Sequence, residues 1–381
     1  MQIARIFPSG LADVSSVRSL VRPAVRAARA APVWGRVGLA RRGRGPLAVF
    51  LPAYGRHGAA RLRIYNVAGA LRPLGWRTLV MPWTLTLAQR HRVLARARPD
   101  VVVMQGARHA LNRPGFYPGY PIVYDIDDAD FHLPHLTGPV RRAMGDVDAV
   151  IAGSAYIADW CRAAGAGEVQ VIWTGTPVSQ RPRPHQATRP PVVAWAQTRP
   201  MTYVREANLV RDVMARVAVE CPGVTLRLYD RHPDDDRDFA AGFASTGLRV
   251  EWCKTLRYRD FLQSLDDVRV GLAPLCPETP FSRGKSFGKV LAYLDRGVPV
   301  VASDACEHGA FFTRATGVVS NDPEVWSRAI VRMIGDGALR RRMADAAFND
   351  FRARLTDEVS ARQADRLLRA IVSDGSGRYL A

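Results

Sequence analysis

Apolar residues fall along this chain in two alternating ways. Short β-branched runs are closed off by Gly, Asp, Ser or Thr, and between them lie longer stretches where apolar positions recur at three- and four-residue steps. The runs predict strands covered on both faces, as in a parallel sheet, and the stretches predict amphipathic helices packed over them. Strands are expected at Leu47–Ala53, Thr78–Met81, Val101–Met104, from Pro121 into Asp125, Asp148–Ser154 and Val169–Thr174. They are expected again at Val192–Ala196, Val224–Tyr229, Leu248–Trp252, Val268–Leu275 and Val298–Ala302. Helices are expected at Arg61–Leu71, Ala155–Ala164, up to Val219, and over Pro323–Val372. One more carries Phe287, Val290, Leu291 and Leu294 on one face and stops at Gly297. The recurring strand, loop and helix predict an α/β chain of two doubly wound, Rossmann-like domains.

The periodicity lapses from Pro177 to Pro191, where Pro, Arg, Gln and Thr dominate, and this stretch reads as an interdomain linker. The division is then a basic leader at 1–45, a first domain at 46–176, the linker at 177–191, a second domain at 192–353 and a closing helix with its tail at 354–381. Length is sufficient for two cores of ordinary size.

Charge adds a partner to this picture. Lys and Arg number 54 against 35 Asp and Glu, which predicts an anionic partner: phosphates, nucleic acid or an anionic membrane surface. The codons of a GC-rich genome supply part of such an arginine excess. No nucleic-acid recognition motif accompanies it, so nucleic acid is not expected. The leader is arginine-rich, and Val17–Ala31 reads either as a helix that lies on an anionic membrane or as a loosely packed segment. Cys161, Cys221, Cys253, Cys276 and Cys306 are scattered and odd in number, which points away from disulfides and structural zinc and toward a reducing cytosol. No run approaches a membrane span, and residues 1–25 lack a signal-peptide core. The expected location is cytoplasmic, with a peripheral place on the inner face of the membrane. Asp234, Asp235 and Asp236 lack the spacing of a calcium loop.

Four places carry candidate chemistry. After the first strand, Gly58 opens a loop where backbone can approach a ligand, and Arg61 or Arg63 can face an anion. At the carboxyl end of the fourth strand PIVYDIDDADF concentrates Asp125, Asp127, Asp128 and Asp130. One reading is that Asp125-Ile126-Asp127 resembles the D-x-D metal clamp of GT-A glycosyltransferases. Alternatively the segment resembles the D-x-D-D-A stretch of a subset of family-4-like glycosyltransferases, which implies that Asp127 contacts the transferred sugar or an acceptor hydroxyl, or the aspartates cap the next helix and pair with arginines such as Arg141. In the second half, Arg199 and Arg205 follow a strand at a spacing of six. Arg283, Lys285, Ser286 and Lys289 cluster with Gly284 where a helix N-terminus is expected, either as a phosphate cradle or as a basic surface turn.

KVLAYLDRGVPVVASD, from Lys289 to Asp304, resembles the donor-site segment of GT-B glycosyltransferases, in particular the retaining family 4. Lys289, Gly297 and Pro299–Ser303 match its pattern. The two glutamates of that family's E-x7-E pair correspond to Gly284 and Ala292 here, and Glu278 and Glu307 are the acids nearest to replacing them. VDAVIAGSAYIADWCRAAGAGEVQVIWTG, with Gly153 and Ser154 at its turn, resembles the family's last block of the first domain, and GRHGAARLRIYNVAGAL its opening loop. The resemblance implies two Rossmann-like domains facing a central cleft, with an acceptor in the first and a nucleotide sugar in the second. It implies that Arg199, Arg205, Lys285 and the helix end at Ser286 stabilise the departing diphosphate, with retention and without a metal or other cofactor. Asp127 and Asp128 would then act on the acceptor side. The implied function is sugar transfer to a glycan or lipid-linked acceptor in cell-surface polysaccharide or glycoconjugate synthesis. A sugar-nucleotide 2-epimerase and a non-catalytic nucleotide-sugar or glycan-binding protein share the architecture and remain open.

Overall fold

The computed structural model describes residues 33–230, 237–244, 247–254 and 256–375. The Val17–Ala31 helix expected in the leader and the acidic run at 234–236 lie outside them. A helix over residues 33–42 leads into the first of two six-stranded sheets, both parallel in every pairing. The first sheet is built from β1 (Leu47–Leu51), β2 (Arg77–Val80), β3 (Val101–Gln105), β4 (Ile122–Ile126), β5 (Ala149–Ala152) and β6 (Glu168–Val171), in the order β2-β1-β3-β4-β5-β6. The second contains β7 (Val192–Trp195), β8 (Thr225–Asp230), β9 (Arg249–Lys254), β10 (Val268–Ala273), β11 (Val300–Ala302) and β12 (Gly317–Val319), in the order β12-β11-β10-β7-β8-β9. Eleven of these strands coincide with the apolar runs. β12 was not expected, because a three-residue run gives little alternation to read.

Central strands are buried along their whole length, which is why their sequences read as continuous Val, Ile and Ala. Helices begin where side chains satisfy the first free N–H groups. Thr86 and Gln89 form a reciprocal capping box at the Leu87–Ala97 helix, and Ser154, Asp322 and Asp336 cap three others.

Each winding order reverses at a point where a crevice opens beyond the carboxyl ends of the strands. In the first sheet the reversal lies between β1 and β3, and in the second between β7 and β10. Both are bordered by the loops that carry the candidate chemistry.

Three local expectations are corrected. The helix expected from Gly284 to Gly297 is broken into a turn at Pro280–Arg283, a 3-10 turn at Phe287–Lys289 and a short helix at Leu291–Asp295. Ser286 has extended backbone between these pieces and makes no side-chain cap, and Leu291–Asp295 is buried on every face. Gly297 does stop it, at φ +62°. The helix after β1 is π-helical over Arg61–Asn66, a widened turn that turns Arg63, Ile64 and Asn66 inward. The sequence between the second and third strands reads as an arginine-rich helix whose charges line a solvated face, yet Arg90 there is fully buried and donates to Leu85 O, Trp83 O and Asn112 Oδ1.

The 177–191 stretch is fastened along the second half as a strap. Asp295 accepts from Ser179 N at 2.8 Å, Arg181 pairs with Asp266, and Gln186 donates to Gly297 O while Arg340 donates to Gln186 O. The chain crosses between halves beside its own return. Thr176 N donates to Leu355 O at 3.1 Å, and Ser360 Oγ donates to Trp173 O at 2.9 Å. A side chain at Gly175 would collide with Thr356 O. After this crossing the helix Asp357–Gly375 packs Ala361, Ala364, Leu367 and Leu368 into the core under β1 and β3, and Trp76 Nε1 donates to Asp365 at 2.7 Å.

Candidate functional site

The first half supplies acids held by arginines. Asp125, the last side chain but one of β4, is buried and gripped by Arg63, whose Nε lies 3.1 Å from Oδ1 and whose Nη2 lies 2.8 Å from Oδ2. Arg63 Nη1 also donates to Ile172 O at 2.7 Å. The anion that Arg63 faces is therefore this carboxylate, and Asp125 is committed to a guanidinium rather than open to a D-x-D cation. Among the described residues no group of three His, Cys, Asp or Glu side chains is arranged to hold a metal ion.

Arg108 was not singled out from the sequence, yet it organises the rest of the cluster. It sits on the loop after β3, at the reversal of the winding, and reaches Asp128 Oδ2 at 2.7 Å and Asp130 Oδ1 at 2.6 Å. The aspartates thus pair with Arg108 and not with Arg141, whose guanidinium lies over Trp160. They do not cap the next helix either, since Pro134–Gly145 starts from Leu133 without a side-chain cap.

Asp127 is buried between these pairs, and its carboxylate has no hydrogen bond to a described residue. Burial and then the neighbouring Asp128 push its carboxyl up to about 7. Gly153 makes this position possible: a Cβ there would stand 2.9 Å from Asp127 Cα. Burial followed by the charge of Asp127 pushes the Tyr54 phenol up to about 12. The ring of Tyr54 stacks on His57, and its hydroxyl is 3.5 Å from where a Cβ of Gly58 would be. Gly58 itself has φ +49°.

The second half supplies Lys285. Its ammonium is buried 4.2 Å from the Phe281 ring centre and 5.8 Å from that of Tyr203, and it reaches Asp128 Oδ1 of the first half at 3.5 Å. Burial works against its charge, but Asp128 and Tyr203 outweigh it and raise its pKa. Glu206, also missed, holds the loop that delivers it: this buried carboxylate accepts from Cys276 N at 3.1 Å and Ser282 Oγ at 3.2 Å. The only sequence signal was an acid on an otherwise apolar helical face. Arg199 and Arg205 are exposed on the loop and first helical turn after β7, flanking Tyr203. Arg283 is turned back onto Pro277 O, and Lys289 lies in the 3-10 turn that follows.

The halves touch through these same elements. Phe281 packs against the core of the first half, and Gly284 lies so close to Ala129 that a Cβ would come 2.5 Å from the alanine methyl. Glu307 Oε1 accepts from Ala155 N at 2.5 Å, at the N-terminus of the Ala155–Ala163 helix that Ser154 caps. Glu278 is exposed, and Ala292 is buried. Arg61 also bridges the halves, lying 3.4 Å over the Tyr258 ring, and so makes a packing contact.

No protein-family model matches the chain, and no curated protein matches it. Solved structures do. Sucrose-phosphate synthase (tll1590) from Thermosynechococcus elongatus superposes with a TM-score of 0.65 at 14% identity, over 87% of this chain and 100% of that one. Alr3699/HepE from Anabaena, in complex with UDP-glucose, gives 0.64 at 19% identity over 86% and 100%. A putative UDP-N-acetylglucosamine 2-epimerase from Listeria monocytogenes gives 0.56 at 13% over 84% and 95%. What these likenesses and the two parallel sheets establish together is architecture: the chain has the GT-B fold.

Proposed function

We propose that this chain is a glycosyltransferase that moves a sugar from a nucleotide-sugar donor to a glycan or lipid-linked acceptor, in cell-surface polysaccharide or glycoconjugate synthesis. The observation that carries this reading is the meeting, across one cleft, of buried Lys285 from one half with Asp128 from the other, next to the buried Asp127. A buried ammonium that rests on a carboxylate can exchange it for a phosphate of similar geometry. Lys285, with Arg199 and Arg205 at the rim, would neutralise the diphosphate as the bond from the sugar C1 to its oxygen breaks and the electron pair leaves with phosphate. The acceptor hydroxyl oxygen forms the new bond to C1. Its proton passes to the departing phosphate oxygen on the same face, which retains configuration, and Asp127 orients that hydroxyl. Protein cations would do the work that a divalent metal does elsewhere. The HepE structure holds UDP-glucose, so UDP-sugars are the first donors to try.

The test is a thermal-shift screen against UDP-, GDP-, ADP-, CMP- and dTDP-sugars, since a ligand of the folded state raises apparent stability. A shift with one class, abolished by Lys285→Ala in a folded protein, is expected. No shift with any class, or a shift untouched by Lys285→Ala, overturns the cradle. The likeness to a putative 2-epimerase supports a second reading, and products separate the two: a glycoside signals transfer, whereas free nucleotide with an altered sugar signals epimerisation.

A further inference from the structure

The positive charge of this chain is not spread over it. Residues 14–99 contain seventeen arginines and not one Lys, Asp or Glu, so all but two of the nineteen net positive charges arise in this stretch. A genome-wide arginine bias would not empty one segment of acids while leaving the rest of the chain balanced.

Folding sorts these arginines. Arg63 and Arg90 are drawn into the interior, and Arg61 packs on Tyr258. Arg41 and Arg42, at the end of the helix over residues 33–42, meet Arg92 and Arg96 of the Leu87–Ala97 helix around an open groove of about 760 Å³. All four are exposed and form no ion pair with a described residue. Four guanidiniums around one groove without a carboxylate repel one another, an arrangement that an external anion relieves.

The apolar side chains in the same region indicate which anion. Trp34 lines the groove, and Leu39, one turn along the same helix, is 71% exposed. Phe116, whose aromatic side chain is exposed, is tied to the Leu87–Ala97 helix. Phe116 O lies 2.7 Å from Nε2 of His91, the residue before Arg92. Arginine interleaved with tryptophan, phenylalanine and leucine suits the headgroup level of a bilayer, where charge meets lipid phosphate and the apolar tips enter the acyl boundary. The chain that enters this face at residue 33 continues the pattern in sequence, with Arg18, Arg22, Arg26 and Arg29 among Leu20, Val21 and Val25.

We propose that the face bearing Arg41, Arg42, Arg92 and Arg96, with Trp34, docks on an anionic lipid bilayer. This proposal is independent of the transfer reaction. It places the first half, rather than the second, against the membrane.

The test is flotation of the full-length protein with phosphatidylcholine vesicles, alone or with about 30% phosphatidylglycerol, at low and high salt. Binding only to the anionic vesicles, released by salt, is expected. One basic residue at such a surface is worth about fivefold in binding, so Arg41→Gln, Arg42→Gln, Arg92→Gln and Arg96→Gln combined should weaken it by more than about tenfold. A control variant that changes the exposed Arg314, Arg341, Arg342 and Arg352 of the second half to Gln removes the same charge and should bind as the parent does. Both variants should keep the parent's melting temperature and any nucleotide-sugar shift. No binding to anionic vesicles, equal losses in the two variants, or a quadruple variant that still binds would overturn the proposal. So would tight binding to a random DNA duplex in place of vesicles, lost in the first variant, which would assign the face to nucleic acid.

Discussion

The two halves share an architecture and anchor their bridging arginines at opposite ends of the sheets. In the first, Arg63 and Arg108 sit at the carboxyl ends of the strands and end on carboxylates of β4 and of the loop after it. In the second, Arg189 donates to Val268 O and Arg296 O, Arg340 to Met333 O and Ile334 O, Arg296 to Arg181 O, Pro182 O and the carboxylate of Asp266, and Arg227 to Glu251 and Asp267, all on the side away from the cleft. One half concentrates these contacts at the crevice, the other along its base, where the strap is fastened. The second half is left with a single buried cation at its crevice among the described residues, Lys285, and that cation faces the acids of the first. A matched ion pair split between two bodies is suited to a ligand that must displace it.

Stability separates the two uses most strongly. Arg63→Met leaves Asp125 buried without its partner and should cost about 3–5 kcal/mol in urea unfolding. Arg189→Met strands only carbonyl oxygens and should cost roughly 1–3 kcal/mol. Equal costs would mean that the crevice pair is no different in kind from the staples.

Protonation divides the halves in opposite directions. The Asp127 carboxyl, at about 7, lies above its ordinary value, so its contribution is complete below about pH 4 and is lost as pH rises through 7. Asp127→Asn should therefore stabilise the protein at pH 8, by roughly 2 kcal/mol, and leave it unchanged at pH 4. Part of the alkaline slope should persist, because Asp357 is also raised to about 7. In the second half His308 is fully buried, its ring lowered to about 4 by burial, with Nδ1 3.0 Å from Ser303 O. Its contribution is present above the ordinary histidine value and is lost as pH falls toward 4, so His308→Gln should flatten the acid limb instead. Melting temperatures across pH 4–9 check both signs.

Contact between the halves gives a smaller effect. Gly284→Ala places a methyl against Ala129 and should cost roughly 1–2 kcal/mol while weakening the Lys285–Asp128 pair. Gly288→Ala, with its nearest neighbour at 3.6 Å, should cost less. Least of all, Glu307→Gln removes a negative charge from the start of the Ala155–Ala163 helix and should lower stability by about 0.3–1 kcal/mol, less in high salt. A larger loss would show that Glu307 governs closure.

Strands were legible because parallel sheets bury both faces, so composition alone betrays β1, β3, β4 and β10. The 280–297 segment was misread, since its apolar positions are buried on every side and carry no amphipathic phase, while Gly284 and Ser286 break the helix. Candidate acids Asp127 and Asp128 stood out by clustering. Arg108 and Glu206 did not, because neither belongs to a motif; each matters through residues 20 or more positions away.

By itself, then, the sequence determined two doubly wound units, the acidic end of β4 and the excess of arginine, since each depends on local pattern or on a sum over residues. Only the tertiary structure decided which arginine meets which carboxylate, that Lys285 rests on Asp128 across the cleft, and that four unpaired guanidiniums share one face. Those are distances between residues far apart in the chain, and charge acts through distance in space rather than position in sequence.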